Sequence, residues 1–427
     1  MSEISEHSNA RSNPSADIIS NLPSELIQHI LGLMPLRDAA RTCALSRHWR
    51  NVWLKLPKLV FDRTFGRVYP LDPSSREKVL LRISQILLAH DGPILEFKLS
   101  IPGLESCWET DQFMKSVSRK GVQKLVLKFP RGNRHTLHSS TFSCRELEKL
   151  ILRGCDIKPP PSFRGFSNLV RLMLSEITVT ADVLARFIAG SPFLKCLCLD
   201  GSPPCDVLTV ISPKLKCLFC HTYFGTSIRV FAPRLINVSL ISNVPRAMLE
   251  GKQTTLQAKD FLKHVCILAL DHYYMKMLLR AGSSFKFKNL SVLSLHGIYF
   301  PSVDEVKGVL LFIDGCPTLR KIKIAVARVF SNFEALTNRD TVEFFKGLKE
   351  KDISSCHVRE VEMLYVTGSW PELAFMRMLL NKLLMLETMV IEPNFEIVND
   401  GGLYILKEVS KFSRVSSRAI VKFKDQN

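Results

Sequence analysis

The sequence lacks any run of 18 or more nearly uncharged apolar residues, the length a membrane-spanning helix requires, and its opening stretch, Met1 to Pro14, is polar with no apolar core of a secretion signal. Together these absences predict a soluble, intracellular chain with no membrane partner. Acidic residues are also scarce: 40 Asp and Glu stand against 58 Lys and Arg, a formal charge of +18. Such a balance favours acidic partners or nucleic acid without specifying either. Also missing are a Gly-rich phosphate loop, a nucleophile elbow, a zinc-protease helix and a paired-carboxylate arrangement, so no catalytic residues are assigned and no enzyme activity is expected. What is present suffices to fold. Apolar residues make up 46% and charged residues 23%, which excludes a largely disordered or collagen-like chain. The twelve cysteines, spread over 427 residues without a secretion signal, read as reduced thiols rather than a disulfide framework.

At roughly 150 residues per domain the length fits about three compact units or one extended repeat array. Residues 1–15 are rich in Ser, Asn and Glu and read as a flexible tail. From residue 16 to 60 the spacing predicts a small helical module. Leu22, Leu26 and Ile30 share one stripe with Ile27 and Leu31 beside it, and Pro23 suits a first turn. Gly32 and Pro35 break that helix, Leu36 begins a second, and Ser46 can cap a third carrying Trp49 and Trp53 four residues apart. A module of this size cannot bury all of these side chains within itself and predicts a partner groove.

Beyond residue 90 an apolar triplet, spaced three and then two residues apart, recurs about a dozen times, as in Leu147/Leu150/Leu152, Leu194/Leu197/Leu199 and Leu290/Leu293/Leu295. Starts lie mostly 20 to 30 residues apart, the signature of a solenoid in which each repeat gives one short strand and a return segment. Val183–Ile188 and Val303–Ile313 have helical spacing and stop at Gly-Ser-Pro and Gly-Cys-Pro, so they read as helical returns. The stretches 230–265 and 325–357 are irregular.

The segment from Asp17 to Trp53, with its Leu22-Pro-Ser-Glu-Leu26 opening and its Leu45-Ser-Arg-His-Trp49 and Trp53 ending, closely resembles an F-box. Cys356-His-Val-Arg-Glu-Val-Glu362, Trp370-Pro-Glu-Leu-Ala-Phe375 and Leu386-Glu-Thr-Met-Val-Ile391 look like an FBD domain. With the repeats between them, the chain resembles the plant F-box/FBD/LRR-repeat family. That resemblance implies an α/β fold: a helical F-box at 16–60, an irregular leucine-rich-repeat solenoid with a curved parallel sheet at 61–350, and an FBD domain at 351–427. It also implies a substrate-recognition subunit of an SCF-type (Skp, cullin, F-box) ubiquitin ligase, working in the nucleus or cytoplasm. Leu22, Pro23, Leu26, Ile27, Ile30, Leu31, Leu36, Trp49 and Trp53 would then bind the Skp adaptor and, through it, cullin. An F-box scaffold acting outside a ligase and a basic nucleic-acid-binding repeat protein are the alternatives. The latter lacks aromatics interleaved with its basic stretches.

Strand alternation assigns the candidate substrate face to residues flanking the inward positions: Lys149, Ile151, Arg153, Arg171, Met173, Ser175, Cys196, Cys198, Asp200, Phe219, His221, Asn237 and Ser239. Cys217-Leu-Phe-Cys220-His221 has the spacing of a haem attachment site, but alternation sends the two sulfurs to opposite faces, so neither haem nor a metal is expected. Gln112 to Arg145 carries eight Lys or Arg and no acid, and Lys407 to Lys424 carries six against one Glu. A solvated face is the reading of these runs. No cofactor is expected, an inositol phosphate being the minor alternative by analogy with hormone-receptor members of the wider F-box/LRR class.

Overall fold

The computed structural model describes residues 22–44, 49, 51–65, 73–201, 207–222, 227–242, 256–257, 264–280, 287–327, 339–347, 357–398 and 402–424. The tail read at 1–15 and the cap at Ser46 lie outside them. Two compact units divide the chain, Met1–Asn133 and Arg134–Asn427.

In the first unit, helices α1 (Ser24–Gly32) and α2 (Leu36–Arg41) both follow a proline, whose fixed backbone starts the helix and whose missing N–H is not needed there. Where the sequence predicts a third helix, the described residues form a 3₁₀ turn, Val52–Lys55. Strands β1 (Lys58–Phe61), β2 (Glu96–Leu99) and β3 (Lys124–Lys128) follow, parallel and in register, so that Leu59, Phe97 and Leu125 align as do Phe61, Leu99 and Leu127. Helices α3 (Pro73–Ala89) and α4 (Trp108–Val117) are the returns between them.

The second unit holds a parallel ladder: β4 (Lys149–Arg153), β5 (Arg171–Ser175), β6 (Cys196–Asp200), β7 (Cys217–Thr222), β8 (Asn237–Ser242), β9 (Ile267–Asp271), β10 (Val292–Ile298), β11 (Lys321–Val326), β12 (Glu360–Val366), β13 (Thr388–Pro393) and β14 (Ile420–Phe423). Its register explains the triplet. Second positions align strand to strand as Leu150, Leu172, Leu197, Leu218, Val238 and Leu268, and third positions as Leu152, Leu174, Leu199, Cys220, Leu240 and Leu270. In most repeats of this unit the first residue of the triplet sits in a tight turn before the strand. Leu194 N–H donates to Ser191, Leu215 to Ser212, Leu235 to Ala232 and Leu319 to Cys316, each three residues back. A turn followed by an alternating strand thus gives the three-then-two spacing, and all twelve triplets are buried. The FBD-like residues β12–β14 continue the same ladder, beginning with Lys321 opposite Glu360 and Ile322 opposite Val361.

Apart from the extended segment between β4 and β5, returns in the second unit are of two kinds. Helices α5 (Ala181–Ala189) and α7 (Val303–Asp314) cover both sequence-predicted segments and end at Gly190 and Gly315. Helices α6 (His272–Arg280), α8 (Arg339–Gly347), α9 (Trp370–Lys382) and α10 (Leu403–Ser410) serve later repeats. Between β6 and β9 the returns are instead strands, Val207–Ile211, Ser227–Phe231 and Leu256–Gln257, forming a small parallel sheet.

Candidate functional site

Two surfaces carry the candidate residues, one in each unit. On α1 the apolar residues split between two faces. Ile27 and Leu31 are fully buried and pack inward with Leu36, Ala39, Trp49, Val52 and Leu56 into one core. The expectation that Ile27, Leu31, Leu36 and Trp49 face a partner is therefore corrected: α1, α2 and the Val52–Lys55 turn pack on one another and leave these four buried. Trp53 is half-buried and lines a cavity with Leu36, Arg37 and Ile86. Pro23, Leu26 at 51% and Ile30 at 39% remain exposed, with Leu22 half-buried at the start of the stripe. The structure adds Leu33 at 77% and Met34 at 38% to that stripe. Both had an apolar signal at helical spacing, three and four residues after Ile30, but the Gly32 break obscured it.

On the ladder, Lys149, Arg171, Cys196, Cys217 and Asn237 align across β4–β8, as do Ile151, Met173, Cys198, Phe219 and Ser239, and likewise Arg153, Ser175, Asp200 and His221. With Cys217 completing the first row, the thirteen proposed face residues therefore form three contiguous rows on the side opposite the leucines. Arg153, Arg171 and Asp200 are exposed and the others are half-buried, Met173 and Phe219 among them, except Ser239, which is buried and so offers a partner little surface. Their exposure is smaller than alternation alone suggests, because neighbours 4.8 Å apart in a sheet shield one another's flanks.

Chemically, the rows grade from basic to polar. Arg153 Nη2 lies 3.4 Å from Glu176 Oε1, while the His221 ring Nε2 is 2.9 Å from the Ser239 hydroxyl. Burial pushes the His221 pKa down, against the opposing pull of Asp200, so the ring is neutral near pH 7. Burial likewise pushes Cys198 up to about 11, with the Asp200 charge adding to it, and raises Cys196. Thiols held protonated are poor nucleophiles, so these cysteines act as small contact groups. Cys217 and Cys220 do occupy opposite faces, Cys220 being fully buried. Among the described residues no three His, Cys, Asp or Glu side chains converge as a metal site. From β11 onward the same face is closed by cross-strand ion pairs: Lys321 Nζ to Glu360 at 2.9 Å and to Glu362 at 2.7 Å, and Lys424 Nζ to Glu392 at 3.2 Å. The basic runs are partly engaged locally too: Lys124 forms an ion pair with Glu96 at 2.6 Å, and the Lys120 ammonium donates to the His90 carbonyl at 2.8 Å.

Comparison with known proteins matches the F-box domain family over residues 19–61, and the family described as "FBD-associated F-box protein At5g56370, LRR repeats" over 110–260. The chain carries an F-box and FBD-associated leucine-rich repeats. It is 29% identical to F-box/FBD/LRR-repeat protein At1g13570 of Arabidopsis thaliana, over 96% of this chain and 99% of that one. F-box/FBD/LRR-repeat protein At2g04230 of the same plant is 30% identical over 57% of this chain and 58% of its own, and F-box/LRR-repeat protein At5g02910 is 25% identical over 75% of each. F-box and LRR modules on one chain are the architecture of a substrate adaptor, and neither matching family is a catalytic one. Among the described residues no helix is long and apolar enough to cross a membrane.

Proposed function

We propose that this F-box/LRR chain is the substrate-recognition subunit of an SCF-type ubiquitin ligase, with the F-box stripe on a Skp adaptor and the ladder face, together with the FBD-like end, holding a protein substrate. The observation that carries the reading is the exposed stripe of Leu26 and Ile30 on α1, continued by Leu33 and Met34 in the turn after it, on a helix whose other face is already packed. Such a stripe is a helix-in-groove anchor, and burying a Leu or Ile side chain contributes about 1.5–3 kcal/mol. No chemistry is required of the chain itself, since holding a substrate beside a ubiquitin-charged partner raises the effective concentration of its lysines.

Leu26→Asp with Ile30→Asp should reduce co-purification of the Skp adaptor by roughly 100-fold or more, the equivalent of about 3 kcal/mol, without changing the circular dichroism spectrum. Undiminished adaptor binding would remove the assignment. Cullin in the same purified complex separates a ligase subunit from a scaffold working outside one. Met173→Ala with Phe219→Ala should lose substrate while retaining the adaptor. Supporting a protein partner over nucleic acid is the local pairing of Lys120, Lys124 and Lys424, which leaves fewer cations to meet phosphates.

A further inference from the structure

The first unit bears a second unfilled surface, away from the residues assigned to the adaptor. Between α3 and α4 lies a groove of about 430 Å³ lined by Leu87, Leu88, Trp108, Phe113, Lys115 and Arg119, among others. Leu87 and Phe113 are buried and form its floor. Leu88 is 85% exposed and Trp108 68%. One exposed apolar side chain is ordinary on a soluble protein, whereas a leucine and a tryptophan lining the same groove make a patch of the kind that marks an interaction site.

The other lining residues say what kind of partner fits. Trp108, Lys115 and Arg119 fall at i, i+7 and i+11, one stripe along α4 and the turn that follows it, so Trp108 stands at one end and the two cations at the other; Leu88 belongs to the cationic end, because the His90 carbonyl two residues on accepts from Lys120 Nζ at 2.8 Å. Lys115 and Arg119 are exposed, and neither side chain has a hydrogen-bond or ion-pair partner among the described residues. Against these two charges the described lining carries a single carboxylate, Glu109. At 1.5 Å per helical residue the stripe is roughly 16 Å long, the span of about three helical turns.

We propose that this groove docks an acidic amphipathic segment of a protein partner, its apolar side chains between Leu88 and Trp108 and its carboxylates on Lys115 and Arg119. The surface is separate from the Skp stripe, and the inference holds whether or not the chain works in a ligase.

The test uses the full chain without adaptor and a fluorescein-labelled, amidated 16-residue peptide with Leu and Phe at helical spacing and Glu elsewhere, alongside the same peptide with every Glu replaced by Lys. Fluorescence anisotropy should show saturable binding of the acidic peptide and at least tenfold weaker binding of the basic one. Trp108→Ser and Leu88→Ser should each weaken the acidic peptide tenfold or more. Both side chains are exposed, so neither change removes core. Lys115→Glu with Arg119→Glu should invert the preference, a gain of binding to the basic peptide that unfolding cannot produce. The proposal is overturned if no saturable binding occurs, if the two peptides bind alike, or if the charge-reversed variant keeps the acidic peptide within twofold. It is equally overturned if sedimentation shows a concentration-dependent dimer abolished by Trp108→Ser, which would make the patch a contact between copies of this chain.

Discussion

Three buried carboxylates occupy the corner where a strand turns into its helical return. Asp271 accepts from the Ser242 N–H at 2.7 Å and the Tyr274 N–H at 2.9 Å, Glu305 from the Tyr299 N–H at 2.9 Å, and Glu372 from the N–H groups of Thr367 at 2.8 Å and Gly368 at 3.1 Å. Only Tyr274 lies in the first turn of a helix; the other amides belong to the end of β8 and to the connections leading into α7 and α9, so the carboxylates pair backbone groups that neither ladder nor helix satisfies. Burial nevertheless pushes Asp271 up to about 7, outweighing the amides that hold its charge. The folded state then keeps a proton that the unfolded state releases. The associated stability, on the order of a few kcal/mol, is complete below the ordinary carboxylate range near 4 and is lost as pH rises through about 7. Urea midpoints of wild type and Asp271→Asn at pH 4.5 and 7.5 should show a smaller decline with pH in the variant, since Asn keeps an acceptor but does not titrate. Equal declines would mean that Asp271 is ionised throughout. At Gly190 the sequence signals only a helix stop, yet an added Cβ would lie 1.5 Å from the Arg164 carbonyl oxygen. Gly190→Ala should therefore cost about 1–3 kcal/mol or more in thermal or urea unfolding. Such a backbone contact joins residues 26 positions apart and leaves no mark on local spacing.

At the scale of elements, the leucine triplet was legible because a turn and a strand repeat it in identical geometry. The same spacing in Leu56, Leu59 and Phe61 marks β1, where all three are buried, although the helical reading of residues 16–60 had absorbed it. The strand returns were not legible. In Val207–Ile211 the outward positions Val207 and Ile211 are apolar too, so alternation carries no contrast, and only the pairing with Ser227–Phe231 defines the strand. Nor could periodicity decide which face of α1 is covered: Leu26, Ile30 and Leu33 compete with Ile27 and Leu31, and the core supplied by Val52 and Leu56 chooses between them. The ladder itself makes a plain expectation. Leu197→Ala removes a fully buried side chain held between Leu172 and Leu218 and should cost about 2–5 kcal/mol, whereas Lys195→Ala at the exposed position just before that strand should stay within about 0.5 kcal/mol.

Across the whole second unit, continuity of the ladder decides how its FBD-like end behaves. Ile322 pairs with Val361, Val361 with Met389 and Met389 with Val421, so residues beyond 350 cover β11 rather than standing apart from it. The last strand, β14, is suited to being an edge: Ile420 is exposed, and Lys422 and Lys424 place charge where another strand would have to pair. By contrast β11 carries Ile322, Ile324, Ala325 and Val326, all buried, with Lys321 and Lys323 relying on Glu360 and Glu362 across the gap. A repeat array cut inside its core exposes an apolar face that its terminal repeat had capped. Deletion of residues 351–427 should accordingly give a protein that elutes as soluble aggregate in size-exclusion chromatography and melts at lower temperature. Loss of substrate capture in that truncation would then reflect unfolding as much as a missing contact surface. A monomeric truncation with unchanged melting temperature would instead show that β4–β11 are self-sufficient and that the end of the chain serves binding alone.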